Sequence, residues 1–244
     1  MKERTVYLSV ICCTAALMVF FDRIGARSKR SVVAHAMSSS TTQASSQRSI
    51  RIFCYGDSLT AGTSPPEFQE YPYAPHLERL LKGAAMVRHR GLPGWVTQQL
   101  LEDQNGQYGL VTALKTASPV SIAILLAGTN DLGYSEAPTI LDNIVKLHKL
   151  CYDQGILHTV AIGIPPSAYQ SMNVEAAAKA HDVNQGLAQY CSFEEKRAMY
   201  VPFPFSFEQN DDKWSPDGLH FSPKGYQILG ESLAPIVQEI LQKL

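Results

Sequence analysis

Two patterns of apolar residues alternate along the chain from residue 51 onward. Around residue 140 the apolar positions Ile140, Ile144 and Leu147 recur at spacings of three and four, which predicts one face of a helix. The stretch SIAILLAG, residues 121–128, is apolar almost throughout, as expected for a strand covered on both faces. The same two patterns predict strands at 51–55, 85–90, 120–127, 158–164 and 199–203, and helices at 75–81, 96–118, 137–154, 174–197 and 223–244.

This alternation predicts the fold class. Strands that alternate with helices pair in parallel through right-handed crossovers, which gives a three-layer α/β/α sandwich. Five strands fit a flavodoxin-like sheet with the order 2-1-3-4-5. No internal repeat is evident, so we expect residues 51–244 to form one α/β domain.

Composition excludes several classes of protein. The chain has 244 residues, of which 45% are hydrophobic and 18% charged, and a net charge of -1. This balance is ordinary for a globular domain and offers no basic face for nucleic acid. Two of the five cysteines lie in the N-terminal segment, the other three are too scattered for a disulfide framework, and no CxxC or HExxH pattern is present. We therefore expect no nucleic acid partner, no metal and no cofactor.

The N-terminus differs in character from the rest of the chain. Lys2 and Arg4 precede residues 6–21, a stretch of sixteen residues without a charge. This arrangement predicts a signal peptide or a signal anchor over residues 1–22, and membrane attachment through residues 6–21 if the segment is retained. The pattern leaves both outcomes open, because the small-residue site at 34–36 lies well beyond the apolar run.

Residues 23–50 contain no acid and combine arginines with many serines. Such a composition cannot form a hydrophobic core, which predicts a disordered linker. An organelle transit segment behind a signal is the alternative, since transit peptides are Arg-rich, Ser-rich and acid-poor. We expect a secreted or membrane-anchored protein of the secretory pathway, with plastid-type import as the alternative.

Polar residues follow the predicted strands at the points where those strands end. Gly56, Asp57 and Ser58 come after the first strand, and such residues also make ordinary turns and helix caps. A functional interpretation requires partners at the same edge of the sheet, where open α/β folds place reactive groups. These partners follow later strands, in GLPG at 91–94, GTND at 128–131 and DGLH at 217–220.

Together these residues could perform acyl transfer, which needs a nucleophile, a base, an orienting acid and oxyanion donors. Ser58 could attack and His220 could accept its proton. Asp217 could orient the imidazole, since His220 alone among the seven histidines has an acid three residues before it. The amides of Ser58 and Gly94, with the side chain of Asn130, could stabilise the oxyanion.

These motifs resemble the GDSL, or SGNH, family of esterases and lipases. The family's nucleophile block is matched by residues 56–59, its GxND block by 128–131 and its DxxH block by 217–220. The resemblance implies a serine esterase with a Ser58, His220 and Asp217 triad. It implies an oxyanion amide from Gly94, or less plausibly from Gly91, in the second block. That block departs from the family pattern, because Arg88, His89 and Arg90 stand where many members carry Asn.

Several properties stay open at this level. A GxSxG elbow is absent, which argues against the α/β-hydrolase fold. An acyltransferase would use the same acyl-enzyme, and a catalytically silent membrane-tethered binding module would keep the fold alone. The short predicted loops favour small-molecule esters with short acyl groups. Trp95, Tyr134 and Trp214 could line the substrate pocket, although the two tryptophans could instead merely cover the sheet edge. The natural substrate and the oligomeric state are not indicated.

Overall fold

The computed structural model describes residues 50–194 and 197–244, in which strands and helices alternate as the sequence predicts. The strands are β1 (Ile50–Asp57), β2 (Thr63–Ser64), β3 (Gln69–Glu70), β4 (Ala85–Leu92), β5 (Ile122–Leu126), β6 (His158–Ile162) and β7 (Ala198–Val201). The helices are α1 (Ser58–Ala61), α2 (Ala74–Leu80), α3 (Thr97–Glu102), α4 (Leu110–Ala117), α5 (Ala137–Asp153), α6 (Ala168–Met172), α7 (Val174–Phe193) and α8 (Pro223–Leu241), with a 3₁₀ turn at Asn130–Gly133.

Five of the strands form one parallel sheet in the order β4-β1-β5-β6-β7. Numbered among these five alone, the order is 2-1-3-4-5, which confirms the predicted arrangement. The strand labels differ in detail because β2 and β3, two residues each, form a separate antiparallel pair that the sequence analysis did not predict. The register brings Asp57 beside Leu92 on one side of β1, and Gly56 beside Leu126 on the other.

The three inner strands β1, β5 and β6 are buried on both faces, which explains their nearly continuous apolar sequences. Alternate residues of β1 point to opposite faces. Ile52 and Cys54 join one core cluster with side chains of α2 and α8, whereas Phe53 and Tyr55 join another with side chains of α3, α4 and α5. Helices therefore cover the sheet from both sides, and the predicted three-layer α/β/α fold is confirmed.

The long helix predicted over residues 96–118 is wrong, since α3 ends at Glu102 and α4 begins at Leu110. Two glycines allow the chain to fold back between them. A Cβ on Gly109 would lie 2.0 Å from the carbonyl oxygen of Asp103, and one on Gly106 would lie 2.0 Å from that residue's carboxylate. The apolar spacing of the two short helices happens to match one longer helix, so periodicity alone did not reveal the break.

The predicted signal segment, residues 1–22, lies outside the described residues, as does the predicted linker at 23–50 apart from Ile50. Among residues 50–194 and 197–244, no helix is both long enough and apolar enough to cross a membrane. The assignments made for residues 1–49 stay predictions.

Candidate active site

The candidate site lies at the carboxyl edge of the sheet, where β4, β1 and β5 end side by side. Ser58 follows Asp57 directly and begins α1. The carboxylate of Asp57 accepts a hydrogen bond from the amide of Leu59 at 2.9 Å and caps the helix. The helix lasts one turn and ends at Gly62, whose φ of 86° fits a glycine C-cap. Ser58 is held more deeply than a rim position implies, since only 5% of its surface is exposed.

Asp217 and His220 lie on a loop between β7 and α8 that folds back on itself. Trp214 and Phe221 pair as an isolated antiparallel bridge at its base, and the amide of Ser215 donates to the carbonyl of His220 at 2.8 Å. The hydroxyl of Ser215 also donates to the carbonyl of Phe221 at 2.9 Å. These bonds fix the conformation of the loop and thereby the positions of Asp217 and His220.

The three side chains form one chain of hydrogen bonds. His220 Nε2 lies 2.9 Å from Ser58 Oγ, and His220 Nδ1 lies 2.7 Å from Asp217 Oδ2. Asp217 Oδ1 also accepts the backbone amides of Leu219 and His220, each at 3.0 Å. The structure thus brings Ser58 into contact with His220, which lies 162 positions later in the sequence.

The charge on Asp217 determines how the protons are arranged. Partial burial raises the pKa of Asp217, but hydrogen bonds from the His220 ring and from the amides of Leu219 and His220 outweigh this effect, and the net pKa is lowered. An ionised carboxylate only accepts hydrogen bonds, so His220 Nδ1 must carry a proton and donate it. In the neutral imidazole, Nε2 is then free to accept the hydroxyl proton of Ser58.

The candidate oxyanion donors lie on two neighbouring loops. Asn130 Nδ2 donates to the carbonyl of Trp95 at 2.9 Å, which places this amide beside Gly94. Gly94 has a φ of 80°, and a Cβ there would meet no atom within 4 Å, so its backbone borders open space. Gly91 differs, because a Cβ there would lie 2.0 Å from the nitrogen of Ala61. Close packing of β4 against α1 accounts for Gly91, which favours Gly94 as the donor.

A buried network that sequence reasoning missed joins these two loops. Asp131, 1% exposed, accepts the amide of Thr97 at 3.0 and 3.1 Å and its hydroxyl at 2.5 Å. Asn143 on α5 donates to the same hydroxyl at 3.1 Å. The network ties the first turn of α3, next to Gly94, to the turn that carries Asn130. The acid of the GTND motif was the available signal, but nothing in the sequence indicated Thr97 as its partner.

Asp57 is a second buried acid beside the nucleophile. Burial raises its pKa to about 7, although the hydrogen bond from the amide of Leu59 opposes the shift. Its Oδ2 has no hydrogen-bond partner within the described ranges. Near neutral pH this carboxyl group therefore binds a proton far more readily than an ordinary aspartate does.

The three aromatic residues expected at the pocket lie in different surroundings. Trp95 is half-buried and packs on the core beneath α3 and α4, while its carbonyl bonds Asn130. Tyr134 stands at the surface and is 77% exposed. Trp214 is 7% exposed, packs edge-on against Phe205, Phe207 and Phe221, and donates its Nε1–H to the carbonyl of Ser206 at 3.1 Å. The structure thus places Trp214 mainly in the core, although it also lines a cavity of about 540 Å³ between α6 and the loop that follows β7.

The side chains of the described residues were compared with the arrangements that hold metal ions and with those of reactive thiols. Within residues 50–194 and 197–244, no group of three or more His, Cys, Asp or Glu side chains is arranged to hold a metal ion. Cys54, Cys151 and Cys191 are buried free thiols, and burial raises the pKa of each to about 12. Such thiols are inert as nucleophiles.

The fold and the hydrogen-bonded Ser58, His220 and Asp217 define a class, the serine hydrolases that act on ester bonds. The model of the GDSL-like lipase/acylhydrolase family matches residues 54–228. The chain therefore belongs to this family, as the motifs at the strand ends had suggested.

Solved structures with the same fold are numerous, whereas no curated protein matches the chain. The carbohydrate acetylesterase Est24 of Sinorhizobium meliloti is 21% identical, with a TM-score of 0.64 over 79% of this chain and 100% of that chain. The native aryl esterase of M. smegmatis is 20% identical, with a TM-score of 0.63 over 78% and 99%. A lipase/acylhydrolase of Enterococcus faecalis is 21% identical, with a TM-score of 0.59 over 80% and 97%. At these identities the likeness concerns the fold.

Proposed function

We propose that the protein is a serine esterase that hydrolyses small carboxylic esters through an acyl-enzyme on Ser58. The observation that carries this proposal is the hydrogen-bonded chain from Ser58 Oγ through His220 to Asp217, with links of 2.9 and 2.7 Å. Both distances lie within the range that proton transfer requires. Family membership supports ester chemistry, and the geometry supports these three residues as its agents.

In the first half of the reaction, Ser58 Oγ attacks the ester carbonyl carbon while His220 Nε2 takes the hydroxyl proton. The imidazolium that forms is stabilised by the carboxylate of Asp217. The tetrahedral intermediate then collapses, and His220 gives its proton to the departing alcohol oxygen. The products of this half are a free alcohol and an acyl group bound to Ser58.

Charge on the carbonyl oxygen is stabilised by donors that follow three neighbouring strands, β1, β4 and β5. Ser58 is the first residue of α1, so its N–H has no acceptor within the helix. The backbone of Gly94 borders open space, and Asn130 Nδ2 has a second hydrogen besides the one given to Trp95. Donors that are positioned before the charge develops stabilise the transition state more than the substrate.

In the second half, water replaces the alcohol and His220 acts as base again. An acyltransferase would differ only in using an alcohol at this step. Incubating the enzyme with an ester and an added alcohol separates the two activities. Hydrolysis as the main outcome supports the esterase, and transfer to the alcohol at low concentration supports the alternative.

We further propose that the acyl group is short. In the described part of the chain, the segments that could cover Ser58 are the β2–β3 pair, the turn at Asn130–Gly133, the five-residue α6 and the loop between β7 and α8. The first three are too short to form a lid over a fatty chain, and the loop is held in place by the bonds of Ser215 to His220 and Phe221. Est24, with which the chain shares its fold, is an acetylesterase, which agrees with a small acyl group. Measuring kcat/KM for p-nitrophenyl esters from acetate to palmitate tests this, and an optimum at twelve carbons or longer would contradict it.

Substitution of the triad tests the mechanism. Ser58→Ala and His220→Ala should each lower kcat by roughly 10⁴–10⁶, and Asp217→Ala by less. Ser232→Ala on α8, a serine that bonds only within its own helix, is the matched control and should keep full activity. Labelling with a fluorophosphonate should also mark the wild type and not Ser58→Ala. A folded wild type that resists labelling would support a binding module instead.

A further inference from the structure

The strand β4 forms an open edge of the main sheet. Within residues 50–194 and 197–244 it pairs with β1 alone, and all eight of its residues take part in that ladder. Edge strands are commonly kept short, because their outer row of N–H and C=O groups is a template for another strand. The opposite edge follows this rule, since β7 has only four residues. The free edge of β4 is twice as long.

The backbone of His89 faces outward from this edge. The amide of Val87 points away from β1, because it donates to the carboxylate of Glu78 on α2 at 2.6 Å. Backbone groups two positions apart in a strand point the same way, so the N–H and C=O of His89 also point outward. His89 is exposed, and its backbone has no hydrogen-bond partner among the described residues. A strand laid alongside β4 would supply these partners.

The side chains along one face of this edge are basic. Arg88 stands beside Phe53 in the register and Arg90 beside Tyr55, so both arginines lie on the face of the sheet that α4 covers. Arg51 shares this face, and its guanidinium donates to a carbonyl at the end of α4 at 2.7 Å. The three arginines line a cavity of about 390 Å³ beside β4, and no carboxylate lines it.

Arg88 is the arginine of this group whose charge is unpaired. Arg90 donates to the carbonyl of Gln107 at 3.2 Å, and its guanidinium carbon lies 5.8 Å from the centre of the Tyr108 ring. Arg88 is exposed and makes no hydrogen bond, ion pair or ring contact within the part of the chain that the structure describes. Two positions of a strand span roughly 7 Å, so the two positive charges lie close enough to repel each other. Anionic groups at the same spacing would relieve this repulsion.

We propose that β4 is a docking site for an extended acidic segment of another protein, which adds to the sheet as a further strand. The backbone of that segment pairs with the outward groups of β4, and acidic side chains at every second position meet Arg88 and Arg90. Guanidinium groups suit carboxylates because they bind them through two parallel hydrogen bonds. Residues 88–90 are those at which the second block departs from the family pattern, and the proposed ester chemistry does not use them.

Charge argues against two other occupants of this edge. A second copy of β4 would place Arg88 and Arg90 of one chain against those of the other, and like charges on facing strands are destabilising. Residues 23–49 of the chain itself contain arginine and lysine but no acid. Only an acidic segment complements both the unpaired backbone and the arginines.

Fluorescence anisotropy with the full-length protein and short labelled peptides tests the proposal. The probe alternates threonine with glutamate, which places the carboxylates on one face of a strand, and a reference peptide carries lysine in place of glutamate. We expect the glutamate probe alone to bind, and to bind more weakly as the salt concentration rises. In two further probes, either the glutamates or the threonines carry N-methyl groups. Only one of these sets of N–H groups can face β4, so one methylated probe should bind about tenfold more weakly or worse, and the other should bind normally.

Two charge variants locate the site. Arg88→Gln removes one positive charge from the edge, and Lys149→Gln removes one from the exposed side of α5 as the matched control. We expect Arg88→Gln to weaken binding of the glutamate probe about tenfold and Lys149→Gln to weaken it less than twofold. Thermal melts check that both variants fold, and the comparison of methylated probes needs only the wild type.

Several results would overturn the proposal. Failure of the glutamate probe to bind, or equal binding of the lysine peptide, would exclude an acidic partner. Equal losses in the two variants would place the binding elsewhere. Normal binding of both methylated probes would leave charge attraction without strand addition. None of these results involves Ser58, so each leaves the proposed esterase function unaffected.

Discussion

One buried hydroxyl group, that of Thr97, joins the two candidate oxyanion loops, and its removal tests whether this junction controls the rate. It donates to Asp131 at 2.5 Å and accepts from Asn143 at 3.1 Å, while the backbone amide of Thr97 bonds Asp131 independently. Thr97→Val keeps the shape of the side chain and the backbone bond. The substitution therefore removes the hydroxyl and little else.

The expected magnitudes follow from these contacts. A hydrogen bond to a charged group contributes about 1.5–3 kcal/mol, so the free energy of unfolding should fall by roughly 2 kcal/mol. Loss of a whole oxyanion donor lowers kcat by roughly 10²–10³. In Thr97→Val the Asn130 amide is still present but less firmly held, so we expect a smaller loss of kcat, about tenfold, with KM nearly unchanged.

Thr159→Val is the matched control. Thr159 is also fully buried, and its hydroxyl lies 2.8 Å from both His148 Nδ1 and Tyr152 OH. It stands near the start of β6, at the opposite end of the sheet from Ser58. Urea denaturation should show a comparable loss of stability in both variants, and steady-state kinetics should show a loss of kcat in Thr97→Val alone. An unchanged kcat in Thr97→Val, or an equal loss of kcat in both variants, would refute a positioning role for Thr97.

Four further predictions concern single sites. Asn130→Ala should lower kcat by roughly 10²–10³ with little effect on KM, and a change confined to KM would contradict an oxyanion role. Asp57→Asn retains the cap and should stabilise the protein at pH 8. The reason is that burial raises the pKa of Asp57 from 3.8 to about 7. The protonated carboxyl group of the wild type therefore contributes stability that is fully present below pH 3.8 and is lost as the pH rises through 7. Urea denaturation measures the free energy of unfolding at pH 4 and pH 8, and a loss between these pH values as large in Asp57→Asn as in the wild type would contradict this explanation. Gly91→Ala should impair folding, because its Cβ would lie 2.0 Å from a backbone nitrogen of α1, whereas Gly94→Ala should fold with a loss of about 1 kcal/mol; thermal melts distinguish the two. Residues 1–50 fused to a fluorescent reporter should enter a membrane-bound route, and diffuse cytosolic fluorescence would show that the segment is not a signal.

The sequence by itself determined the class of fold and the candidates for chemistry. Alternating apolar patterns act over a few residues, so five strands and most helices could be predicted from spacing alone. The parallel order followed, because helices between strands leave few topologies open. Ser58, Asn130 and His220 stood out because reactive groups collect where parallel strands end.

Only the tertiary structure decided which of these residues meet and what supports them. The break between α3 and α4 depends on the close packing of Gly106 and Gly109, which a periodic pattern does not report. Trp214 lies near Asp217 in sequence, yet its ring packs in the aromatic cluster of the core. The bond between Thr97 and Asp131 spans 34 positions. Local propensity cannot specify such contacts, because they exist only once the sheet has brought distant segments of the chain to the same edge.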